Sequence, residues 1–364
     1  MKNPFKFGSV VDEPYFIDRQ AEIRRIKSIL SSENHLIIIS PRRFGKTSLI
    51  LKVIKEIKRP DVLLDLQIIT NTEDFASQLL KRVHRLFPFE KIKQLIKNFR
   101  IIPNIIFNPM NNEVDISFQS GVSSSILVDD VLNLIEKVSN PKNKIIVVFD
   151  EFQEIKNIDK TLDRQLRSTI QHHKNINYVF LGSQESLMRD IFEQKKSPFY
   201  HFGTLLTLEK IPVQDFKKYL DNGFESVIAN NEEIVQGILE ITKSHPYYTQ
   251  QLAFNIWELL RNDKNLVNPI NAACEEIIRH HDMDYERLWH TINRTDMKIL
   301  IGMASSEISP LSSEFSKKYF NGATSTIFSS LKRLAQKGLV IKTVSGYEID
   351  DPLFRKWLIN RRQT

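Results

Sequence analysis

Short apolar runs alternate with amphipathic stretches through the first 225 residues of the chain. Runs of consecutive apolar residues predict buried strands, and apolar residues that recur every three or four positions predict helices. The predicted strands are residues 36–39, 62–69, 145–149, 177–183 and 203–208. Strands that are apolar throughout and alternate with helices are typical of a parallel sheet covered on both faces. The pattern therefore predicts an α/β fold with a doubly wound parallel sheet.

Three other regions interrupt or follow this alternation. Residues 87–125 are irregular and contain a predicted hairpin, 104–108 with 113–118, which we interpret as an insertion at the sheet edge. Residues 226–289 show helical spacing without a strand signal. Beyond them, predicted helices and a short hairpin form the pattern of a winged helix-turn-helix, and Gly338 is expected to end its third helix. At the other end of the chain, residues 1–15 are expected to form an arm, and Asp18 is expected to cap the helix that follows. We therefore divide the chain into an α/β core (1–225), a helical lid (226–289) and a winged helix-turn-helix domain (290–364).

The stretch Ser40–Thr47 joins the first predicted strand to a helix. It matches the phosphate-binding pattern G-x-x-x-x-G-K-[ST], except that Ser40 stands where the first glycine belongs. A helix N-terminus offers unpaired N–H groups to an anion, and Gly45 lets the backbone approach phosphates closely. We expect Lys46 to contact the β- and γ-phosphates and Thr47 to ligate Mg²⁺. The alternative is a basic turn before an ordinary helix. The predicted nucleotide-binding residues are Ser40, Pro41, Arg42, Arg43, Phe44, Gly45, Lys46, Thr47 and Ser48.

A second motif places two carboxylates, Asp150 and Glu151, directly after the buried strand 145–149. Ligands bind at the carboxyl ends of strands in open α/β sheets. This is the Walker B arrangement, in which Asp150 holds the Mg²⁺ shell and Glu151 polarises the attacking water. An acidic pair that caps the next helix is the alternative, and pairing with Lys46 argues against it. Ser183, after the next strand, is predicted to sense the γ-phosphate or orient water, and it also suits a helix N-cap.

The formal charge of +7 is concentrated near the C-terminus. This excess favours a polyanion as the partner of that end of the chain, although a solvated basic surface has the same composition. The third helix of the winged helix-turn-helix presents polar and basic side chains of the kind that dock in a DNA groove. They are Ser325, Ser329, Lys332, Arg333 and Lys337. The alternative is a winged helix that packs against protein.

The remaining composition excludes some classes of site. Cys274 is the only cysteine, so an intrachain disulfide and a cysteine-rich metal site are both excluded. The N-terminal residues lack the apolar segment of a signal peptide, and no apolar run is long enough to span a membrane. These features predict a cytoplasmic protein without a membrane partner.

The chain resembles the archaeal and bacterial ATPase family of the AAA+/STAND group of P-loop NTPases. The matching segments are Phe16-Ile17-Asp18-Arg19, the loop 41–47, Phe149-Asp150-Glu151-Phe152, Gly182-Ser183, His245-Pro246-Tyr247-Tyr248 and Asp351-Pro352-Leu353-Phe354. The resemblance implies that Phe16 and Arg19 border the nucleotide and that His245 and Pro246 sense it from the lid. It also implies ATP as the nucleotide. The chain departs from the family at Ser40, and it has no arginine at 200–203, which leaves Arg164 or Arg167 as substitutes.

These observations together predict an ATP-binding, Mg²⁺-dependent P-loop ATPase. We expect slow hydrolysis that drives a conformational switch, with a winged helix that contacts duplex DNA and a possible nucleotide-dependent oligomer. The catalytic residues predicted are Glu151, Lys46 and Ser183. The alternative is a nucleotide-stabilised scaffold or regulator that does not hydrolyse ATP and binds a protein partner through the winged helix.

Overall fold

A computed structural model describes residues 2–108, 113–119, 121, 123–343 and 346–362. The chain forms two compact units. Unit 1 comprises Met1–Asp18, Pro41–Gly45 and Lys210–Thr364, and unit 2 comprises Arg19–Ser40 and Lys46–Glu209. In the part of the chain that the structure describes, no helix has both the length and the apolar character that a membrane span requires.

A five-stranded parallel sheet forms the centre of unit 2. The strands of this unit are β1 (Leu36–Ile39), β2 (Asp61–Asp65), β3 (Asn104–Asn108), β4 (Glu113–Ser117), β5 (Ile145–Asp150), β6 (Ile176–Gly182) and β7 (Thr204–Thr207). The order across the sheet is β2-β5-β6-β1-β7, and all four pairings are parallel. Every residue of β1, β5 and β6 is buried, which explains why their sequences are predominantly apolar. The predicted α/β fold with a parallel sheet is confirmed.

The helices of unit 2 pack against this sheet. They are α1 (Gln20–Ser31), α2 (Lys46–Ile57), α3 (Thr72–Leu86), α4 (Phe89–Ile96), α5 (Ser124–Val138), α6 (Ile155–Ile158), α7 (Leu162–Ile170) and α8 (Glu185–Phe192). Strands β3 and β4 form the predicted antiparallel hairpin within the 87–125 segment. Its predicted turn, 109–112, lies outside the described residues, and α4 in the same segment was not predicted.

Two local predictions for unit 2 are wrong. The second strand ends at Asp65 and does not continue to residue 69, because the Asp65 carboxylate accepts a hydrogen bond from the Gln67 amide (2.9 Å) and caps a 3₁₀ turn. Asp18 was predicted to cap the first helix. The residue before α1 is instead Arg19, which lies in the left-handed region with φ 67° and whose side chain makes no capping hydrogen bond.

Unit 1 begins with an N-terminal segment that packs on helices. Residues 1–15 were predicted to form an arm, but Phe5 is only 2% exposed and its ring centroid lies 4.9 Å from that of Phe224. A Cβ at Gly223 would come within 2.4 Å of the Phe5 ring, so glycine permits this contact. The helices that follow are α9 (Val213–Phe224), α10 (Glu232–Thr242), α11 (Pro246–Asn262) and α12 (Pro269–His290).

The C-terminal part of unit 1 has the predicted winged helix-turn-helix architecture. Its elements are α13 (Arg294–Ser305), α14 (Ser313–Phe315) continued by a π-helical turn (Ser316–Phe320), α15 (Thr324–Gln336), β8 (Val340–Thr343), β9 (Gly346–Ile349) and α16 (Pro352–Arg362). Strands β8 and β9 pair in antiparallel fashion. Gly338 follows α15 with φ 72°, which agrees with its predicted role as the residue that ends the helix.

Candidate nucleotide-binding site

The loop between β1 and α2 has the backbone that the sequence motif predicts. Ser40 is 1% exposed, and its amide donates to the Gly182 carbonyl (3.3 Å), which extends the pairing of β1 with β6. Gly45 has φ 87°, and among the described residues, apart from Gly45 and its two chain neighbours, no atom lies within 4 Å of the position that a Cβ would occupy. The glycine is therefore required by the backbone conformation and leaves open space beside the loop, which fits the approach of a phosphate.

Lys46 is the first residue of α2 and is 5% exposed. Its Nζ donates to the Ser40 carbonyl oxygen at 3.4 Å, so the side chain folds back toward the start of the loop. The position of Lys46 at the N-terminus of α2 is compatible with a phosphate ligand. Contact of Lys46 with phosphate stays a prediction.

Thr47 and Asp150 bring two oxygen atoms together. The Thr47 hydroxyl donates to Asp150 Oδ2 at 2.7 Å, and the Glu151 amide donates to Asp150 Oδ1 at 2.9 Å. Burial raises the pKa of Asp150, as does the neighbouring Glu151, while Thr47 and Lys46 act in the opposite direction. An alcohol and a carboxylate oxygen at one point form a hard donor set that fits Mg²⁺ with phosphate and water as its other ligands.

Glu151 has a left-handed backbone, with φ 51°, directly after β5. Its Oε2 accepts hydrogen bonds from the Ser183 hydroxyl (2.5 Å) and from Gln153 Nε2 (2.5 Å). Because β6 lies between β1 and β5, Ser183 at the end of β6 meets the residues that follow β5. The structure thus brings Ser183 and Glu151 together, and Ser183 holds the carboxylate that was predicted to act on water.

Gln153 is a site residue that the sequence analysis missed. It is 5% exposed, and its Nε2 lies 3.4 Å from the Ser183 hydroxyl as well as bonding Glu151. A Cβ at Gly182 would come within 2.8 Å of Gln153 Oε1, so that glycine makes room for the amide. The only signal in the sequence is a polar residue two positions after Glu151, which is too common to identify a role.

Two predicted nucleotide contacts lie near the start of α1. Arg19 is 5% exposed, and this burial lowers its pKa. Its guanidinium donates to Glu22 Oε1 (3.0 Å) and to the Glu209 carbonyl oxygen (2.9 Å). These bonds give Arg19 a structural role within unit 2. Phe16 is partly buried. A nucleotide contact by either residue stays a prediction.

Arg43 and Phe44, in the middle of the loop, contact residues of α11. Arg43 donates to the Tyr248 hydroxyl (3.0 Å), and its guanidinium carbon lies 4.5 Å from the Tyr247 ring centroid. Burial lowers the pKa of Arg43, but Tyr248, Tyr247 and Asp351 outweigh that effect, so the pKa is raised. Phe44 is 3% exposed. The remaining predicted loop residues have varied exposure: Pro41 is partly buried, Arg42 is exposed and Ser48 is buried.

His245 and Pro246 begin α11. Pro246 occupies the first turn, where a missing N–H costs nothing, and His245 Nδ1 accepts the Tyr247 amide (3.2 Å) as an N-cap. His245 is 1% exposed, and its ring lies 4.8 Å from that of Phe44, centroid to centroid. The contact with Phe44 connects His245 to the phosphate loop. Direct sensing of nucleotide by His245 or Pro246 stays a prediction.

The outward face of α15 is only partly available for a partner. Lys332 and Ser325 are exposed, and the Ser329 hydroxyl bonds the Ser325 carbonyl (3.0 Å). By contrast, Lys337 donates to the Thr291 carbonyl (2.8 Å), and Arg333 donates to Asp296 Oδ1 (2.6 Å). Both cations therefore already have partners within the domain, and contact of the five residues with DNA stays a prediction.

Asp296 makes the stability of the winged helix domain dependent on pH. The carboxylate is fully buried and accepts hydrogen bonds from Arg333, Ser330 and Asn293. Burial alone would raise its pKa, but these bonds outweigh it and lower the pKa. A lowered folded-state pKa stabilises the domain above the unfolded value, about 3.9, and this stabilisation is lost as the pH falls through the folded value.

We expect Asp296→Asn to reduce the free energy of unfolding by about 2 kcal/mol at pH 7, because hydrogen bonds to an ionised group are lost. Urea titrations followed by Trp289 and Trp357 fluorescence, two tryptophans of this core, will measure the effect. The difference from wild type should narrow as the pH falls below about 4. In an Arg333→Met background, Asp296→Asn should reduce the free energy of unfolding by a smaller amount. Equal reductions in both backgrounds would contradict the ion pair between Arg333 and Asp296.

Comparisons with known proteins agree with this fold. A model of winged helix domains, described as probable, matches residues 283–360. A Walker-type ATPase of Pyrococcus abyssi superposes with a TM-score of 0.69 at 18% identity, over 98% of this chain and 99% of its own. The ORC2 protein of Aeropyrum pernix, with ADPNP and ADP, superposes with a TM-score of 0.56 at 15% identity, over 98% of this chain and 96% of its own. The ORC1 protein of Aeropyrum pernix, in complex with DNA, superposes with a TM-score of 0.52 at 12% identity, over 95% of this chain and 93% of its own.

No curated protein matches the sequence. The identities of the three solved structures are low, so these structures establish the fold alone. Family membership rests on a different observation, a family model that matches residues 16–252 and therefore includes the phosphate loop, the Asp150–Glu151 pair and the start of α11. The chain belongs to the family of ATPase domains found predominantly in Archaea.

Proposed function

We propose that the protein binds ATP with Mg²⁺ and hydrolyses it slowly, and that hydrolysis drives a conformational switch. The observation that carries the proposal is the position of five functional residues, two at the start of α2 and three at the carboxyl ends of β5 and β6. Thr47 bonds Asp150, Ser183 bonds Glu151, and Lys46 begins α2 after the loop. This is the set of groups that phosphoryl transfer to water requires.

Each residue then has a separate task. Lys46 neutralises the β- and γ-phosphates, while Thr47 and Asp150 would hold Mg²⁺, which supplies further charge neutralisation when it is bound. Glu151 accepts a proton from the attacking water, because a carboxylate close to the γ-phosphate can act as general base. Ser183 and Gln153 fix the direction of the Glu151 carboxylate through its Oε2. Little covalent chemistry remains, so positioning and charge account for most of the catalysis.

We assign the switch to a helical lid of residues 226–289 and the output to a winged helix domain of residues 290–364. Contacts of Arg43 and Phe44 with α11 support a lid that responds to the phosphate loop. The γ-phosphate would favour one arrangement of the loop, and hydrolysis would release it. In this proposal the core extends over residues 1–225.

The partner that we favour for the winged helix is duplex DNA. Lys332, Ser325 and Ser329 on α15 support this choice, as does the basic C-terminal region. The second candidate is a protein partner. Phe328, on the same helix, is 51% exposed, and an exposed aromatic side chain is typical of a protein interface.

ATP turnover by the purified chain, with Mg²⁺ and with EDTA, tests the enzymatic part of the proposal. We expect slow turnover that EDTA abolishes. Binding of ATP without turnover would instead support the alternative function, a nucleotide-stabilised scaffold. The same assay with duplex DNA tests the output, since a switch coupled to DNA should turn over faster when DNA is bound.

We expect Lys332→Ala to weaken DNA binding severalfold and to reduce the slope of log affinity against log salt by about 1, because one phosphate contact is lost. Fluorescence anisotropy at a series of salt concentrations measures both quantities. Lys264→Ala removes the same charge from an exposed position in the helical region and serves as the control. If Phe328→Ser abolishes a partner interaction while DNA binding is absent, the protein-partner candidate is supported.

A further inference from the structure

Two residues of the phosphate loop are held by side chains that lie far from them in sequence. Arg43 donates to the Tyr248 hydroxyl (3.0 Å) and stacks over the Tyr247 ring, and Phe44 packs edge-on against His245. These contacts all lie within unit 1, which contains Pro41–Gly45. The loop between β1 and α2 is therefore anchored through its side chains as well as through its two covalent ends.

The backbone at Arg43 explains why such an anchor is needed. Arg43 has φ 64°, in the left-handed region that residues with a Cβ adopt rarely. Strained conformations of this kind persist only where surrounding contacts fix them. Because Arg43 lies two residues before Gly45, a change in its backbone would move the N–H groups that are expected to face phosphate.

A second layer of residues lies close to His245 and acts electrostatically on Tyr248. It belongs to the segment that joins β9 to α16. Asp350 Oδ1 lies 3.3 Å from His245 Nε2. Asp351 Oδ2 accepts a hydrogen bond from the Tyr285 hydroxyl (2.9 Å). The other oxygen of Asp351 caps α16 by accepting the amides of Leu353 (2.8 Å) and Phe354 (3.1 Å).

The charges and rings of this cluster lie close enough to interact. Asp351 acts electrostatically on Arg43, Tyr248 and Tyr285, and the rings of His245 and Tyr248 lie 4.6 Å apart. We call His245, Tyr248, Tyr285, Asp350 and Asp351 the loop anchor. Asp350 and Asp351 lie in the winged helix domain, while His245 and Tyr248 lie at the start of α11, so the anchor joins two regions of unit 1 to the loop.

We propose that the loop anchor positions Arg43 and Phe44 for nucleotide binding, so that the Asp350–Asp351 segment of the winged helix domain acts on the conformation of residues 41–45. The inference rests on the proposed binding of ATP at this loop. It adds the route by which the winged helix domain acts on the loop. A partner that displaces the Asp350–Asp351 segment will lower nucleotide affinity, and nucleotide will disfavour that partner to the same extent.

Two conservative substitutions test the anchor. Tyr248→Phe removes only the hydroxyl that Arg43 contacts, and Asp351→Asn removes the charge but keeps an oxygen that can cap α16. We expect each to weaken binding of ATP and of ADP about three- to tenfold by calorimetry, which is the usual effect of one lost hydrogen bond or charge contact. The loop peptide, residues 36–49, should also exchange its amide hydrogens faster in both variants without nucleotide.

Matched controls separate positioning from general destabilisation. Tyr219→Phe removes a buried hydroxyl that bonds the Pro4 carbonyl (2.9 Å), away from the loop. Asp282→Asn weakens a different support of α16, since Asp282 accepts the Trp357 indole N–H (2.8 Å). Neither control should change nucleotide affinity. In an Arg43→Ala background, Tyr248→Phe and Asp351→Asn should have no further effect, and an undiminished effect there would show a merely structural role.

The outcomes distinguish this inference from the proposed function. If the wild type binds ATP and both variants bind it equally well, with unchanged amide hydrogen exchange of residues 36–49, the loop anchor is overturned. The ATPase proposal is then left intact. Absence of ATP and ADP binding by the wild-type chain would overturn both. Weakened binding in both variants, with unchanged affinity in the two controls and no added effect beside Arg43→Ala, is the result that supports the anchor.

Discussion

We expect Lys46→Ala to lower the affinity for ATP by about 100-fold and to remove turnover. Lys46 is 5% exposed, and its Nζ donates to the Ser40 carbonyl (3.4 Å), so the side chain lies over the loop that we propose binds phosphate. A hydrogen bond to a charged group in such a site contributes about 1.5–3 kcal/mol, and 2.8 kcal/mol corresponds to a factor of about 100. Alanine retains the helix but offers neither charge nor donor to phosphate.

Calorimetric titration with ATP and Mg²⁺ measures this loss of affinity directly. Lys52→Ala is the matched control, because Lys52 lies on the same helix and pairs with Glu56 (3.5 Å) away from the loop. A thermal-shift assay gives a second measure, since a ligand that binds only the folded state raises the melting temperature by an amount that grows with the ratio of ligand concentration to Kd. ATP should raise the melting temperature of the wild type and of Lys52→Ala, but not that of Lys46→Ala. Equal affinities of wild type and Lys46→Ala would remove Lys46 from the site.

The elements around this lysine are predictable from sequence because they depend on short-range patterns. The apolar run at 36–39 predicts a buried strand before a loop with G-K-T, and the apolar spacing after it predicts a helix. The same holds for the strand that ends at Asp150. Because the two strands are parallel, their carboxyl ends lie at the same edge of the sheet. The residues that follow them, which belong to two separate sequence motifs, therefore meet there, and Thr47 bonds Asp150.

The features that were missed depend on contacts between distant parts of the chain. The N-terminal residues have the composition of an arm, yet Phe5 is buried because Gly223 leaves room for its ring. Gln153 supports Glu151 only because the backbone at Glu151 adopts a left-handed turn that directs the chain back toward it. No periodicity in the sequence carries that information.

The winged helix illustrates a different limit. Its architecture follows from helical spacing, a helix-ending glycine and a hairpin, all of which are local. Whether its basic residues are free to bind a polyanion depends instead on contacts with residues that are distant in sequence. Arg333 and Lys332 are adjacent on α15, but Arg333 bonds the buried Asp296 of α13 while Lys332 is exposed. Counting cations on a helix face therefore overestimates the number available to a polyanion.

We expect Glu151→Gln to reduce turnover about 100- to 1,000-fold and to change the affinity for ATP by less than threefold. Glutamine keeps the length of the side chain and an oxygen that can accept the hydrogen bonds of Ser183 and Gln153. It cannot accept a proton from water, and general-base catalysis typically contributes a factor of 10² to 10⁴. Both hydrogen bonds fall on Oε2 of Glu151, and we assign Oε1 the role of proton acceptor.

Single-turnover hydrolysis of ATP, with the protein in excess, measures the chemical step without product release. Glu154→Gln is the control, since it removes the same charge three residues later, where the carboxylate accepts from Asn157 (2.6 Å). That variant should retain wild-type turnover. A Glu151→Gln protein with unchanged turnover would mean that another group activates the water, and Ser183→Ala would then be the next variant to measure. Loss of ATP binding in Glu151→Gln would instead assign the carboxylate to the binding site, because a general base acts only on the chemical step.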